Sequence, residues 1–173
     1  AQIGTSDAVE LIWQDAMQRP AGESRTGVLE GLDVVTSPEA VSISASVFKI
    51  TAEPDLIDAA GQLISRSADT ETVHILTEMH ESADSTPALQ AQIERVLGRI
   101  STEGAIDALS ALVRRPGRPS LSLAAARSLL RLGTPHCLEQ LKGAMADLAT
   151  QGAVSDELLH DLGELIAAPI QAN

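Results

Sequence analysis

Leu121-Ser122-Leu123-Ala124-Ala125-Ala126-Arg127-Ser128-Leu129-Leu130-Arg131-Leu132-Gly133 decides the fold. Leu121, Ala125 and Leu129 stand four apart, which on a helix makes a single apolar stripe. Gly133 stops the pattern, and Thr134-Pro135 starts the next one. The same stripe recurs along the chain. Leu89, Ile93 and Leu97 lie 32 residues before it; Leu56, Ala60 and Ile64 lie 33 further back; Val154, Leu158 and Leu162 lie 33 after it.

A second set of columns keeps the same period. Val73, Ile106 and Leu138 correspond, as do Leu76, Leu109 and Leu141. Two different helices therefore alternate with one period, each holding its stripe in register. Such self-similarity is the signature of a repeat array. Upstream the pattern thins to Val28, Leu32, Ala40 and Ile43, and the first pair, with Trp13, has the atypical character of a capping repeat.

Working outward from these columns, the spacing predicts ten helices, near 6–18, 23–34, 37–51, 55–66, 70–82, 87–100, 103–115, 120–132, 135–149 and 155–167. Ser37-Pro38-Glu39, Thr86-Pro87, Ser120, Thr134-Pro135 and Ser155-Asp156-Glu157 read as helix starts, with Ser or Thr as cap. The breaks fall at 115–119 and at Gly133. Short connections make neighbouring helices antiparallel hairpins. The fold class expected is all-α, a solenoid of about five helix pairs. Residues 1–173 form a single helical-repeat domain, with an atypical N-terminal pair over 1–36 and the array over 37–167. A lone pair cannot bury its apolar faces; stacked pairs share a continuous core.

The segment 123–133 resembles the second helix of a HEAT repeat, and Ile93-Glu94-Arg95-Val96-Leu97-Gly98-Arg99-Ile100 looks like the same element one repeat earlier. The short period is similar to the HEAT-like repeats of phycobilisome lyases and many bacterial proteins. The resemblance spans about 55–150. The Asp-Val-Arg opening common in such repeats is replaced by Ser120-Leu121-Ser122. The Trp, Tyr and Pro signature of tetratricopeptide repeats is absent. The resemblance implies second helices on a concave binding surface. It also leaves a ligand-handling or lyase role as an alternative.

Composition agrees with thin helical layers. Trp13 and Phe48 are the only aromatics, too few to wall an aromatic pocket, and the apolar residues are mostly Leu, Ile, Val and Ala. The formal net charge of −12 argues against general binding to a nucleic-acid backbone. One cysteine, Cys137, excludes an internal disulfide and a multi-cysteine zinc framework. No apolar run is long enough to span a bilayer. Starting at Ala1 without Met, the sequence reads as a processed product or an excised domain; the compartment stays open between cytoplasm and a secreted or periplasmic space.

Few groups point to chemistry. Glu71, His74 and Glu78 share one helical face, but a single helix makes a poor metal site, and a solvated face is the simpler reading. His80 points elsewhere. His136 and Cys137 are adjacent, and adjacent helical side chains diverge, so Cys137 reads as an inert core thiol. There is no phosphate loop, nucleophile elbow or His-Glu-x-x-His run. No catalytic residue, cofactor or metal is expected.

A column of arginines stands out. Gln62, Arg95, Arg127 and His160 correspond by the repeat offsets, and so do Arg66, Arg99, Arg131 and Glu164. With Arg114, Arg115 and Arg118, seven of the 12 cationic residues lie between 95 and 131, a positive zone in an acidic chain. Arg66, Arg95, Arg99, Arg127 and Arg131 are the candidate binding residues. They suit an acidic surface on a protein partner, or phosphate as an alternative. The opposing reading is a solvated face paired to Glu94, Glu103 and Asp107.

Overall fold

The structure, a computed structural model, describes residues 6–35, 38–51, 53–115, 117–151 and 156–167. Among the described residues there are ten α-helices and no strand. They are α1 (Ser6–Gln18), α2 (Glu23–Leu29), α3 (Pro38–Ile50), α4 (Pro54–Ser67), α5 (Thr70–Glu81), α6 (Pro87–Leu97), α7 (Ile106–Val113), α8 (Pro119–Leu132), α9 (Pro135–Gln151) and α10 (Asp156–Ala167). Every helix expected from the apolar spacing is present. Two carry a 3-10 turn, Glu30–Val34 after α2 and Glu103–Ala105 before α7. Gly31 and Gly104 lie in those turns, where glycine weakens the α-helical register.

Caps explain most of the boundaries. Thr86 Oγ1 accepts the Leu89 N–H at 3.2 Å, and Thr134 Oγ1 accepts the Cys137 N–H at 3.2 Å. Ser120 does not cap as expected: α8 begins at Pro119, with Arg118 at the cap position and no side-chain cap bond. Proline lacks an N–H and suits the first turn, so it draws Ser120 inside the helix. The starts at Ser37 and Ser155 lie outside the described residues. Asp69 supplies a cap not anticipated from sequence. It accepts the Thr72 N–H at 2.8 Å, while Thr72 Oγ1 accepts the Asp69 N–H at 3.3 Å, a reciprocal capping box. Gly133 takes φ +61° and closes α8 in the left-handed conformation that glycine adopts without Cβ strain.

Packing is regular along the chain. Each helix contacts the next but one: α1, α3, α5, α7 and α9 form one row, and α2, α4, α6, α8 and α10 the other. Hairpin partners such as α3 with α4 and α7 with α8 join the rows. This is the two-layer arrangement of a helical-repeat, solenoid-like fold. One apolar cluster runs between the rows from Val9 to Leu162. Leu56, Ala60, Ile64, Ile93, Leu97, Leu121, Ala125, Leu129 and Leu162 are all fully buried within it, as the columns require. Leu89 and Leu138 are only partly covered, and the side chains of Val154 and Leu158 lie outside the described residues.

Small residues set the spacing between neighbouring helices of a row. A Cβ added to Gly61 of α4 would meet Val96 of α6 at 3.0 Å, so these two helices touch almost backbone to side chain. Ala124, Ala125 and Ala126 do the same for α8 and are buried. At the N-terminal end, Trp13 is buried and donates its indole N–H to Ser44 Oγ at 3.2 Å, tying α1 to α3. The far side of α1 shows Asp7, Glu10, Leu11 and Gln14 to solvent, a mostly polar face.

Backbone carbonyls carry the repeat forward. The last turn of a helix leaves its carbonyls without intrahelical partners. Arg66 Nη2 donates to the Leu32 carbonyl, the Ser101 N–H donates to the Ser65 carbonyl at 3.0 Å, and Ser128 Oγ donates to the Leu97 carbonyl. All three acceptors sit in the closing turn of an even-row helix or its 3-10 extension. All three donors come from about one repeat later.

Two measurements check this architecture. Truncating Leu97 or Leu129 to Ala should lower unfolding free energy by about 2–5 kcal/mol, the range for a fully buried leucine that leaves a cavity. An unchanged denaturation midpoint would mean that these leucines do not sit in the core. Asp69→Ala should cost about 1 kcal/mol at neutral pH, the usual worth of an N-cap. The Thr72 amide, and next the Thr72 hydroxyl, hold the Asp69 carboxyl below its ordinary range. A depressed folded-state value stabilises above the unfolded value and is lost as pH falls through the folded one. The gap between Asp69→Ala and the parent should therefore narrow as the solution is acidified below about pH 4.

Candidate functional site

The arginine column lies on the even row. Arg95 is in the last turn of α6, Arg127 and Arg131 are on α8, and all three are exposed. Arg99 is also exposed but is not helical as expected. α6 ends at Leu97, Gly98 takes the cap position, and the Arg99 N–H bonds the Val96 carbonyl at 2.9 Å in a tightened turn. Arg99 therefore projects from the α6 end and not from a regular turn above Arg95. Because α6 and α8 pack together, the four arginines occupy two neighbouring helix ends of one row.

Arg66 is held apart from them by its own bonding. It is half-buried at the end of α4 and donates to the Leu32 carbonyl, so its guanidinium serves the joint between repeats. The wider positive zone is also divided. Arg114 meets Asp147 at 2.9 Å and Gln140 at 3.2 Å. Arg115 and Arg118 both reach Glu81, at 3.2 and 3.3 Å. These three arginines bridge the C-terminal ends of α5, α7 and α9, in the other row.

The carboxylates expected to neutralise the block do not do so. Glu94 turns to buried His80, whose Nε2 lies 2.8 Å from its Oε1. Glu103 and Asp107 are exposed and form no ion pair with these arginines. Among the described residues, Arg95, Arg99, Arg127 and Arg131 have no ion-pair partner. Arg127 and Arg131 are like charges four apart on a helix, a mildly unfavourable pairing that an anion would relieve. The block ends at exposed Gln62 on one side and at His160 on the other, which lies 3.5 Å from Glu164.

Sequence reasoning passed over one cation. Arg25 of α2 is buried, and its Nη1 meets the carboxylates of Glu53 and Asp55 at the start of α4, the latter at 3.2 Å. Its Nε donates to the Arg19 carbonyl at 2.9 Å. The hydrogen bond it donates to Glu53, against the cost of burial, holds this guanidinium above even its usual range. The clamp fastens the N-terminal pair to the array. A lone Arg outside the repeat columns carries no periodic signal, which is why it was not legible.

The remaining candidates spread out. Glu71, His74 and Glu78 are exposed on α5. Cys137 is buried, with Sγ 3.1 Å from Thr134 Oγ1, while His136 is exposed. Among the described residues no three His, Cys, Asp or Glu side chains gather as a metal site, and no helix is long and apolar enough to cross a membrane. No protein-family model, curated protein or solved structure matches the chain. The helical-repeat architecture thus stands without a specific family, and the likeness to HEAT-like repeats rests on the residues quoted above.

The contrast between clamped and unclamped arginines is measurable. Arg25→Met strands two carboxylates and should lower the thermal midpoint clearly. Arg127→Ala should shift stability by no more than about 0.5 kcal/mol, as for a surface side chain without partners. Equal shifts in calorimetry would contradict the division drawn here.

Proposed function

We propose that the chain is a non-catalytic binding module of HEAT-like type, whose even-row surface takes an acidic segment of a partner protein. One observation carries this reading: among the described residues of an otherwise acidic chain, four exposed arginines, on α8 and at the end of the α6 it packs against, have no ion-pair partner. Guanidinium groups bind carboxylates in a planar, bidentate manner, and a pair of neighbours adds register to charge. The backbone beneath them is held by buried Leu97, Ala125 and Leu129, so binding must order the arginine side chains but not the backbone that carries them.

The overall charge of −12 shapes what such a site accepts. A long polyanion would run past the arginines onto acidic surface. A short acidic stretch within a neutral partner would not. Ion screening over about 8 Å at physiological salt also limits the site to contacts made at close range.

The test uses a short oligoglutamate peptide and an oligonucleotide of equal charge as probes. The peptide should bind the parent chain at low salt. Binding should weaken by about tenfold or more in the Arg99→Glu, Arg131→Glu double variant, a loss of about 1.4 kcal/mol or more. Thermal stability of that variant should stay near the parent value. Unchanged peptide affinity returns these arginines to the role of a solvated face. Tighter binding of the oligonucleotide, with a steep salt slope, would replace the acidic peptide by phosphate as the preferred ligand.

A further inference from the structure

The C-terminal ends of the odd-row helices are bridged by a ladder of side chains. Arg114, after α7, reaches Asp147 of α9, and Arg115 reaches back to Glu81 at the end of α5. Arg118 adds a second contact to Glu81. One repeat earlier the ladder fails. The residues 33 before Glu81 and Arg115 are Phe48 and Ser82, which form no ion pair. Between the ends of α3 and α5 the surface opens instead into a cavity of about 490 Å³.

The lining of this cavity is amphipathic. Phe48, Ile50, Met79 and Leu89 supply apolar walls. Ile50 is 65% exposed, one of two large hydrophobic residues so exposed among the described residues. Lys49 is exposed in the same lining and has no carboxylate partner among them. Ser85 Oγ, also in the lining, is buried without a hydrogen-bond partner. A second hollow of about 350 Å³ shares Lys49, Met79 and Ser82 and continues along α3 and α5 past Ile75. An unpaired ammonium and an unsatisfied hydroxyl thus stand beside an apolar trough.

We propose that this groove binds a medium-chain carboxylate, with its apolar tail over Ile50, Met79 and Leu89 and its anionic head at Lys49 and Ser85. The volume lies within the range of about 300–1,000 Å³ typical of small-molecule sites. Charge complementarity selects the head group, because Lys49 is the one cationic residue in either lining and the hydroxyl of Ser85 is free to donate. The first turn of α6, which borders the groove at Leu89, contains no acidic residue, so its positive end also favours an anion. Two carboxylates oppose it. Asp84 stands exposed in the α5–α6 turn, and exposed Glu78 lines the second hollow. Both weaken a carboxylate's attraction to the site without occupying Lys49. This site lies mainly between α3 and α5 of the odd row, meets the even row only at the start of α6, away from Arg95 at its end, and stands or falls independently of the arginine block.

The experiment titrates the whole chain with octanoate, octanol and octyltrimethylammonium, read by methyl NMR at Ile50, Met79 and Leu89 and by calorimetry. Octanoate should shift all three residues and bind more tightly than the other two. Lys49→Gln should weaken octanoate by about tenfold, as for loss of a charge-assisted contact, and leave octanol unchanged. Asp84→Asn should tighten octanoate. Ile50 and Lys49 are exposed, so Ile50→Glu and Lys49→Gln should both remain folded, and Ile50→Glu should abolish the shifts at Met79 and Leu89. The proposal is overturned if octanoate leaves these methyl signals in place, if octyltrimethylammonium binds as well as octanoate, or if Lys49→Gln binds octanoate as the parent does.

Discussion

A short helix ends with carbonyls that its own turns satisfy only in part, and this chain brings further donors to them from about one repeat later. The carbonyls of Leu32, Ser65 and Leu97 are met by Arg66, Ser101 and Ser128. A hydrogen bond of this kind is worth only about 1 kcal/mol net, but a buried carbonyl left unpaired costs more than that. The bonds therefore specify register more than they add stability. They hold α2, α4, α6 and α8 at one height against one another, so that Ile64, Ile93, Leu97, Ala125 and Leu129 close into one apolar seam. The near-constant period of the chain is the sequence form of that geometric requirement.

The two rows use their cations differently as a consequence. At the C-terminal ends of the odd row, α5, α7 and α9 stand close enough for Arg114, Arg115 and Arg118 to reach carboxylates on neighbouring repeats. On the even row, the nearest acid, Glu94, is turned inward to His80. Arg95, Arg99, Arg127 and Arg131 are left facing solvent. A column of like charge, without counter-ions among the described residues, and a ladder of paired charge thus occupy opposite rows of one array. Where the ladder lapses, between α3 and α5, the surface is not sealed and the groove at Lys49 appears.

The N-terminal pair is anchored differently from the pairs that follow. The exposed face of α1 is mostly polar. Trp13 and Arg25 replace the aliphatic columns as its anchors. The indole binds Ser44 across a buried contact, and the guanidinium holds Glu53 and Asp55 at the mouth of α4.

The amino-acid sequence by itself determined the ten helices, their alternation in two kinds, the repeat period and nearly all of the core columns. These follow from local rules: apolar residues at helical spacing must share a side, and Thr86, Thr134 and Gly133 mark ends whatever the surroundings. It also placed the arginine column, because equivalent positions in a repeat share a face. It did not determine which charges find partners. Arg66 and Arg131 are equivalent in the repeat, yet one is spent on a backbone carbonyl and the other is exposed. Nor did it reveal the Arg25 clamp, the turning of Glu94 toward His80, the early end of α6 at Leu97 or the groove beside Lys49. Each of these depends on how neighbouring helices are offset and on what stands opposite across a gap. Periodicity fixes which side of a helix faces inward, but only the assembled rows bring residues about 30 apart in the chain within the few ångströms over which hydrogen bonds and ion pairs act.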